Sequence, residues 1–143
     1  TLSSAAEFTI NANLRRALLD DEVNLSFIHT LLDEGNALGV HLDSRGLAFQ
    51  LVGRLSTVAR NFREDPTHPE LLQQFEVLAE LVRDLPFDVD IWLAQNVYYQ
   101  VQQMHYASQR AAAEQGDEAA ADWLAHFEVL GDHLSMARPE QQT

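Results

Sequence analysis

Cysteine and lysine are absent from this 143-residue chain, and all nine of its basic residues are arginines. Without cysteine, the chain has no disulfide framework, no thiolate zinc site and no cysteine nucleophile. Glycine and proline are scarce, with six and four residues, and the glycines are dispersed along the chain. No glycine-rich phosphate loop is therefore present.

Positive charge is also in short supply, because 22 acidic residues against nine arginines give a net charge of −13. An acidic surface repels phosphate backbones and anionic lipids, so we expect neither nucleic acid nor a membrane as a partner. No uncharged apolar run approaches the roughly 18 residues of a membrane span, and no signal-peptide pattern is present. We therefore expect a cytoplasmic protein. The start at Thr1, without a methionine, suggests a domain excised from the C-terminal part of a longer polypeptide.

Apolar residues recur at helical spacing along most of the chain, and no segment shows the two-residue alternation of a strand. The first predicted helix has Ser3 or Ser4 as its N-cap and Glu7 at capping-box spacing from Ser4. Asn24 precedes a second helix that should end at Gly39. The apolar faces of these two helices contain Phe8, Leu14 and Leu18, and Leu25, Ile28, Leu31, Leu32 and Leu38.

Four further helices are predicted, with Asp43, Pro69, Asp88 or Asp90, and Asp117 at their starts. Their apolar faces contain Leu47, Leu51, Leu55, Val58 and Phe62; Leu71, Phe75, Leu78, Val82 and Leu85; Val97, Val101 and Met104; and Ala120, Trp123, Phe127, Leu130 and Leu134. The sequence therefore predicts an all-α fold, a compact bundle or orthogonal array of about six helices. Residues 1–143 form a single helical domain in this prediction, with residues 136–143 as a frayed tail.

One uncharged stripe on the predicted fifth helix is the main candidate for a ligand- or partner-binding surface. Trp92, Asn96, Tyr99, Gln103 and Tyr106 recur at helical spacing, and Gln95 and Gln102 lie beside them. Aromatic rings cover apolar faces while amides donate and accept hydrogen bonds, a combination that suits sugars and extended peptides. The stripe by itself favours a structural interpretation, with Trp92 and Tyr99 in the core and Asn96 satisfying a buried backbone group at a helix crossing.

Metal binding and catalysis have weaker signals. Asp122, His126 and His133 share one predicted helix face, and His29 and Asp33 form another pair, but no third ligand is fixed by the spacing. Surface ion pairing is the favoured interpretation of such pairs. No carboxylate interrupts an apolar face, and no serine lies in a nucleophile elbow. We therefore predict no catalytic residue, metal ion or cofactor in this chain.

The segment 85–99, with the sequence LPFDVDIWLAQNVYY, resembles a segment of one known domain family. That family is the helical C-terminal domain of unknown function that follows family-57-type glycoside hydrolase (α-amylase/α-mannosidase-like) catalytic domains in large bacterial proteins. Trp92, Gln95, Asn96 and Tyr99 are the positions that match that segment. The resemblance implies that catalytic carboxylates lie in an upstream domain of the same polypeptide, on which this domain packs.

Two functional hypotheses follow. The first is a non-catalytic accessory domain of a carbohydrate-active enzyme, whose partners are the upstream catalytic domain and α-glucan. It predicts that Trp92 and Tyr99 line a groove or an exposed apolar patch. The second is a self-standing helical module for protein–protein interaction, with a groove for a partner helix or for a second copy of the chain. The oligomeric state is not indicated by the sequence.

Overall fold

A computed structural model describes residues 2–139 of the chain, and side chains from residue 4 onward. It confirms the all-α prediction, because the described residues form six helices and no strand. The helices are α1 (Leu2–Leu19), α2 (Leu25–Ala37), α3 (Ser44–Glu64), α4 (Pro69–Asp84), α5 (Trp92–Glu114) and α6 (Glu118–His133). No helix within residues 2–139 combines the length and apolarity needed to cross a membrane.

Three helix starts use the predicted side-chain caps. Asn24 Oδ1 accepts a hydrogen bond from Phe27 N at 3.0 Å, and Asp117 Oδ1 accepts one from Ala120 N at 3.1 Å. Asp43 caps α3 in the same way, through Gly46 N at 3.3 Å. Each cap satisfies a backbone N–H that has no partner inside its helix, which fixes the start of the helix.

Three helix ends adopt the same Schellman geometry, but only two of them use glycine. Gly39 and Gly116 have left-handed φ values of +67° and +94° after α2 and α5. Ser135 takes the equivalent position after α6, with φ of 59°, and Met136 N donates to Gly131 O at 2.8 Å. Serine rarely adopts this conformation, so the contacts of the following segment must offset its cost.

Helices α3 to α6 form a four-helix bundle. Helix α3 packs on α4 and α5, and α6 packs on the same two helices, which places α4 and α5 at opposite corners. Helix α1 packs on α2 and on α3, so the α1–α2 hairpin is added to one side of the bundle. The bundle is one of the two architectures that the sequence analysis left open.

An aromatic cluster fills the centre of this bundle. Phe127 is fully buried and stacks on Tyr98 at a centroid distance of 4.1 Å and on Trp123 at 4.5 Å. Phe62 and Tyr106 contact the same ring at 6.4 Å each. These residues come from α3, α5 and α6, and Phe75 of α4 contacts Phe62 edge-on at 5.7 Å, so the cluster joins all four helices.

Three predicted core residues are exposed in the structure, namely Phe8, Leu38 and Met104. Phe8 is opposite the buried face of α1, which contains Ile10, Leu14 and Leu18. Leu38 is the residue after α2, where the chain already turns away. Single apolar residues at the edge of a helical stripe are often exposed, and spacing alone does not identify them.

The predicted start of the first helix and the predicted frayed tail are also corrected. Helix α1 begins at Leu2, so Ser3 and Ser4 lie inside it and Ser4 does not cap it. Residues 136–139 are held against the bundle: Met136 packs on the core, and Arg138 forms ion pairs with Glu128 and Asp132. The predicted tail residues 140–143 lie outside the described part of the chain.

Candidate functional site

Helix α5 has two faces of different character. Its inner face contains six buried residues and packs on α3 and α6. Its outer face contains most of the stripe predicted from the sequence, because residues at positions i, i+4, i+7 and i+11 share one side of a helix. The members of that stripe divide between the two environments.

Trp92 and Tyr99 point outward, with 68% and 50% of their surface accessible to solvent. They are seven residues apart on one helix, which separates them by about 10 Å along its axis. Gln103 is exposed further along the same face, and Asn96 lies half-buried between the two rings. We call these four residues the outer face of α5.

Asn96 is held in place by the helix itself. Its Nδ2 donates to Trp92 O at 2.8 Å, one turn earlier. Asp90 Oδ1 accepts from Trp92 N at 2.9 Å, so the aspartate satisfies the first N–H of α5. The N-cap of α5 is Ile91, not the predicted Asp88 or Asp90, and Asp90 contacts the helix start from one residue earlier. Both contacts fix the backbone from which the Trp92 ring projects.

Three residues in or beside the predicted stripe turn inward. Tyr106 is buried and its hydroxyl donates to Glu128 Oε1 at 3.1 Å. Gln95 Nε2 donates to Leu134 O at 2.9 Å, and Gln102 Nε2 donates to Ala137 O at 3.4 Å. Gln95, Gln102 and Tyr106 therefore have structural roles, since they attach α6 and the segment after it to α5.

The predicted histidine groups are separated by the structure. His126 Nδ1 lies 2.7 Å from Glu76 Oε2, and His133 Nδ1 accepts from Arg83 Nη1 at 2.6 Å, so both histidines face α4. His29 lies 3.8 Å from Asp84. Within residues 2–139, no group of three or more His, Asp or Glu side chains is arranged to hold a metal ion.

The inner face of α5 is a packing surface. Burial raises the pKa of the Tyr98 hydroxyl above the ordinary tyrosine value, and the Asp132 and Glu128 carboxylates raise it further. Tyr98 is therefore a neutral phenol at physiological pH, and it packs against Gly131 and Phe127. The sequence analysis missed the pairing of Tyr98 with Gly131, although a glycine inside the apolar face of α6 was its signal.

None of the grooves that we describe within residues 4–139 is lined by α5. The outer face of α5 is a surface with two projecting rings, Trp92 and Tyr99. Such a surface suits contact with another surface or the face of a sugar better than enclosure of a small molecule. Trp92 and Tyr99 are exposed and line none of these grooves, and the predicted groove or apolar patch at the two residues stays a prediction.

Comparisons of the chain with family profiles, with characterised proteins and with solved structures find no match. The resemblance of residues 85–99 to the glycoside hydrolase-associated domain is therefore a hypothesis carried by the sequence phrase alone.

Proposed function

We propose that this chain is a non-catalytic helical accessory domain of a glycoside hydrolase-like enzyme, in which it packs on the catalytic domain of the same polypeptide. The observation that carries the proposal is the outward position of Trp92 and Tyr99 on one side of α5. These two residues also belong to the phrase on which the family resemblance rests.

The composition of the outer face of α5 supports a docking role. Tryptophan and tyrosine are enriched in protein interfaces, because each ring buries a large area while losing little conformational entropy. Asn96 and Gln103 add amide groups without adding charge. A helix anchored through its inner face presents these side chains in a fixed arrangement, which reduces the entropic cost of binding.

The direct test uses the polypeptide encoded upstream of Thr1 in the same reading frame. We expect a glycosidase-like domain there, and we expect it to bind the present chain when the two are expressed separately. Trp92→Ala with Tyr99→Ala should weaken this binding at least tenfold, because central aromatic residues carry most interface energy. Phe49→Ala is the control, since Phe49 is a ring on α3 that is even more exposed, at 80%. An unrelated upstream sequence would refute the proposal.

Binding of α-glucan is a separate outcome that the two tryptophans can report. Trp92 is exposed, whereas Trp123 is buried and donates from Nε1 to Pro66 O at 2.7 Å. A maltooligosaccharide that stacks on the outer face of α5 should therefore change the emission of Trp92 alone. Trp92→Phe should abolish the change and leave the Trp123 signal intact. An unchanged emission spectrum at millimolar maltoheptaose would leave protein docking as the role of this face.

A further inference from the structure

A second surface, remote from α5 in sequence, lies where the α1–α2 connection meets α3 and α4. A groove of about 760 Å³ opens there. Its apolar lining includes three valines on three different elements, Val23, Val58 and Val77, together with the buried Leu78. These three elements are separate in sequence and converge only in the tertiary fold.

Carboxylates surround this apolar lining. Asp21, Glu22 and Glu70 contribute to the groove and are exposed to solvent. A second groove of about 540 Å³ shares Glu22, Val23 and Val77 with the first, so the two are continuous. It extends the same combination of apolar lining and acidic margin. We call the continuous surface the α3–α4 groove.

Arg54 is the one basic residue that lines this groove, and its guanidinium is already engaged. It donates to Leu18 O and, at 3.3 Å, to Asp21 O. Burial lowers the pKa of Arg54, and the Asp21 and Asp20 carboxylates oppose this shift. These bonds tie the acidic connection to α3 and fix the position of its carboxylates.

We infer that the α3–α4 groove binds a cationic amphipathic helix of a partner protein. The apolar lining requires an apolar stripe on the ligand, and the margin of four carboxylates (Asp20, Asp21, Glu22 and Glu70) requires Lys or Arg beside that stripe. A second copy of this chain is disfavoured, because its net charge of −13 repels an acidic groove. The inference concerns a different surface from the outer face of α5 and is independent of the proposed function.

The probe is a fluorescently labelled 18-residue helical peptide with a leucine stripe flanked by lysines. Its control has the same composition, with the leucines distributed around the helix. We expect the patterned peptide to bind at least tenfold more tightly than the control, because only a continuous stripe covers the valines. Equal affinities, or complete displacement of the peptide by spermidine, would overturn the inference, since either result indicates simple charge attraction.

Matched charge reversals locate the binding site. Glu70→Arg should weaken binding of the patterned peptide at least tenfold. Asp88→Arg makes the same change in net charge on the exposed α4–α5 connection, outside the groove. It should weaken binding of the peptide less than threefold. Equal losses for the two variants would show a non-specific charge effect and contradict the assigned site.

The apolar lining is tested by a second matched pair. Val77→Glu should abolish binding, whereas Val129→Glu, at an exposed valine of α6, should preserve it. Circular dichroism and Trp123 emission verify that both variants are folded. Full binding by folded Val77→Glu would overturn the inference. Sedimentation gives a second outcome that would overturn the inference. If the chain self-associates with increasing concentration and Glu70→Arg strengthens that association, the groove binds a second copy of the chain.

Discussion

The central aromatic cluster and the outer face of α5 contain the same types of side chain in opposite environments. Trp123 is 5% accessible and stacked on Phe127, whereas Trp92 is 68% accessible. Tyr98 is buried beside Tyr99, its exposed neighbour in sequence. The comparison teaches that aromatic content does not indicate a site. Position around the helix decides whether a ring contributes to stability or remains available for binding.

The largest expected difference between the two regions is in stability. Phe127→Ala should lower the free energy of unfolding by about 3–5 kcal/mol, because it removes a fully buried ring that contacts four other aromatic residues. Urea unfolding followed by circular dichroism measures the loss. Phe49→Ala removes an exposed ring and should change the free energy by less than about 0.5 kcal/mol. Similar losses for both would show that the cluster is not the centre of the core.

Glycine-to-alanine exchanges test the close packing of the cluster. A Cβ at Gly131 would lie 2.7 Å from Tyr98 Cζ, and Tyr98 is buried, so neither helix can move away freely. Gly131→Ala should cost about 1–3 kcal/mol of unfolding free energy.

Gly53→Ala is the control, because nothing lies within 4 Å of its Cβ and Gly53 is within a helix. It should stabilise the protein by up to about 1 kcal/mol, since alanine favours the helix. Thermal unfolding compares the two variants, and a Gly131→Ala protein as stable as the parent would contradict the described contact.

Alkaline pH should destabilise the protein through Tyr98. Its pKa is raised on folding, chiefly by burial, so the unfolded chain releases the phenolic proton at a lower pH than the folded one. The contribution of Tyr98 to stability is present below the ordinary tyrosine pKa and falls above it, by up to about 1.4 kcal/mol per pH unit.

Tyr98→Phe should remove the contribution of one ionising hydroxyl from the slope of unfolding free energy against pH. Tyr99→Phe serves as the comparison. Urea unfolding between pH 8 and pH 11, a range around the ordinary pKa of about 10, provides the measurement. An unaltered slope in Tyr98→Phe would contradict the assignment.

The smallest expected effect concerns the outer face of α5. Trp92→Ala should change the free energy of unfolding by less than about 0.5 kcal/mol, because its ring is mostly solvated already. Iodide should quench the Trp92 emission of the parent protein and leave that of Trp123 nearly unchanged. A loss of stability comparable to that of Phe127→Ala would place Trp92 in the structural core and remove the basis of the proposed function.

Local chemistry explains why much of the fold was predictable. Asn24, Asp43 and Asp117 cap their helices, and Gly39 and Gly116 end theirs, through interactions within a few residues of sequence. The periodic apolar faces of α3 and α6 likewise match the buried residues closely. Phe8 and Met104 were wrongly predicted to be buried. Helical spacing shows which side of a helix is apolar, but it does not show how far around the helix the buried face extends.

Sequence by itself determined the six helices, most of their boundaries and the residues of the α5 stripe, because capping and apolar periodicity are local properties. Only the tertiary structure decided which part of that stripe is buried. Helix α6 and the segment after it cover one side of α5 and engage Gln95, Gln102 and Tyr106, while no described helix covers Trp92 and Tyr99. The α3–α4 groove has the same origin, since its three valines come from elements that meet only when the hairpin packs on the bundle.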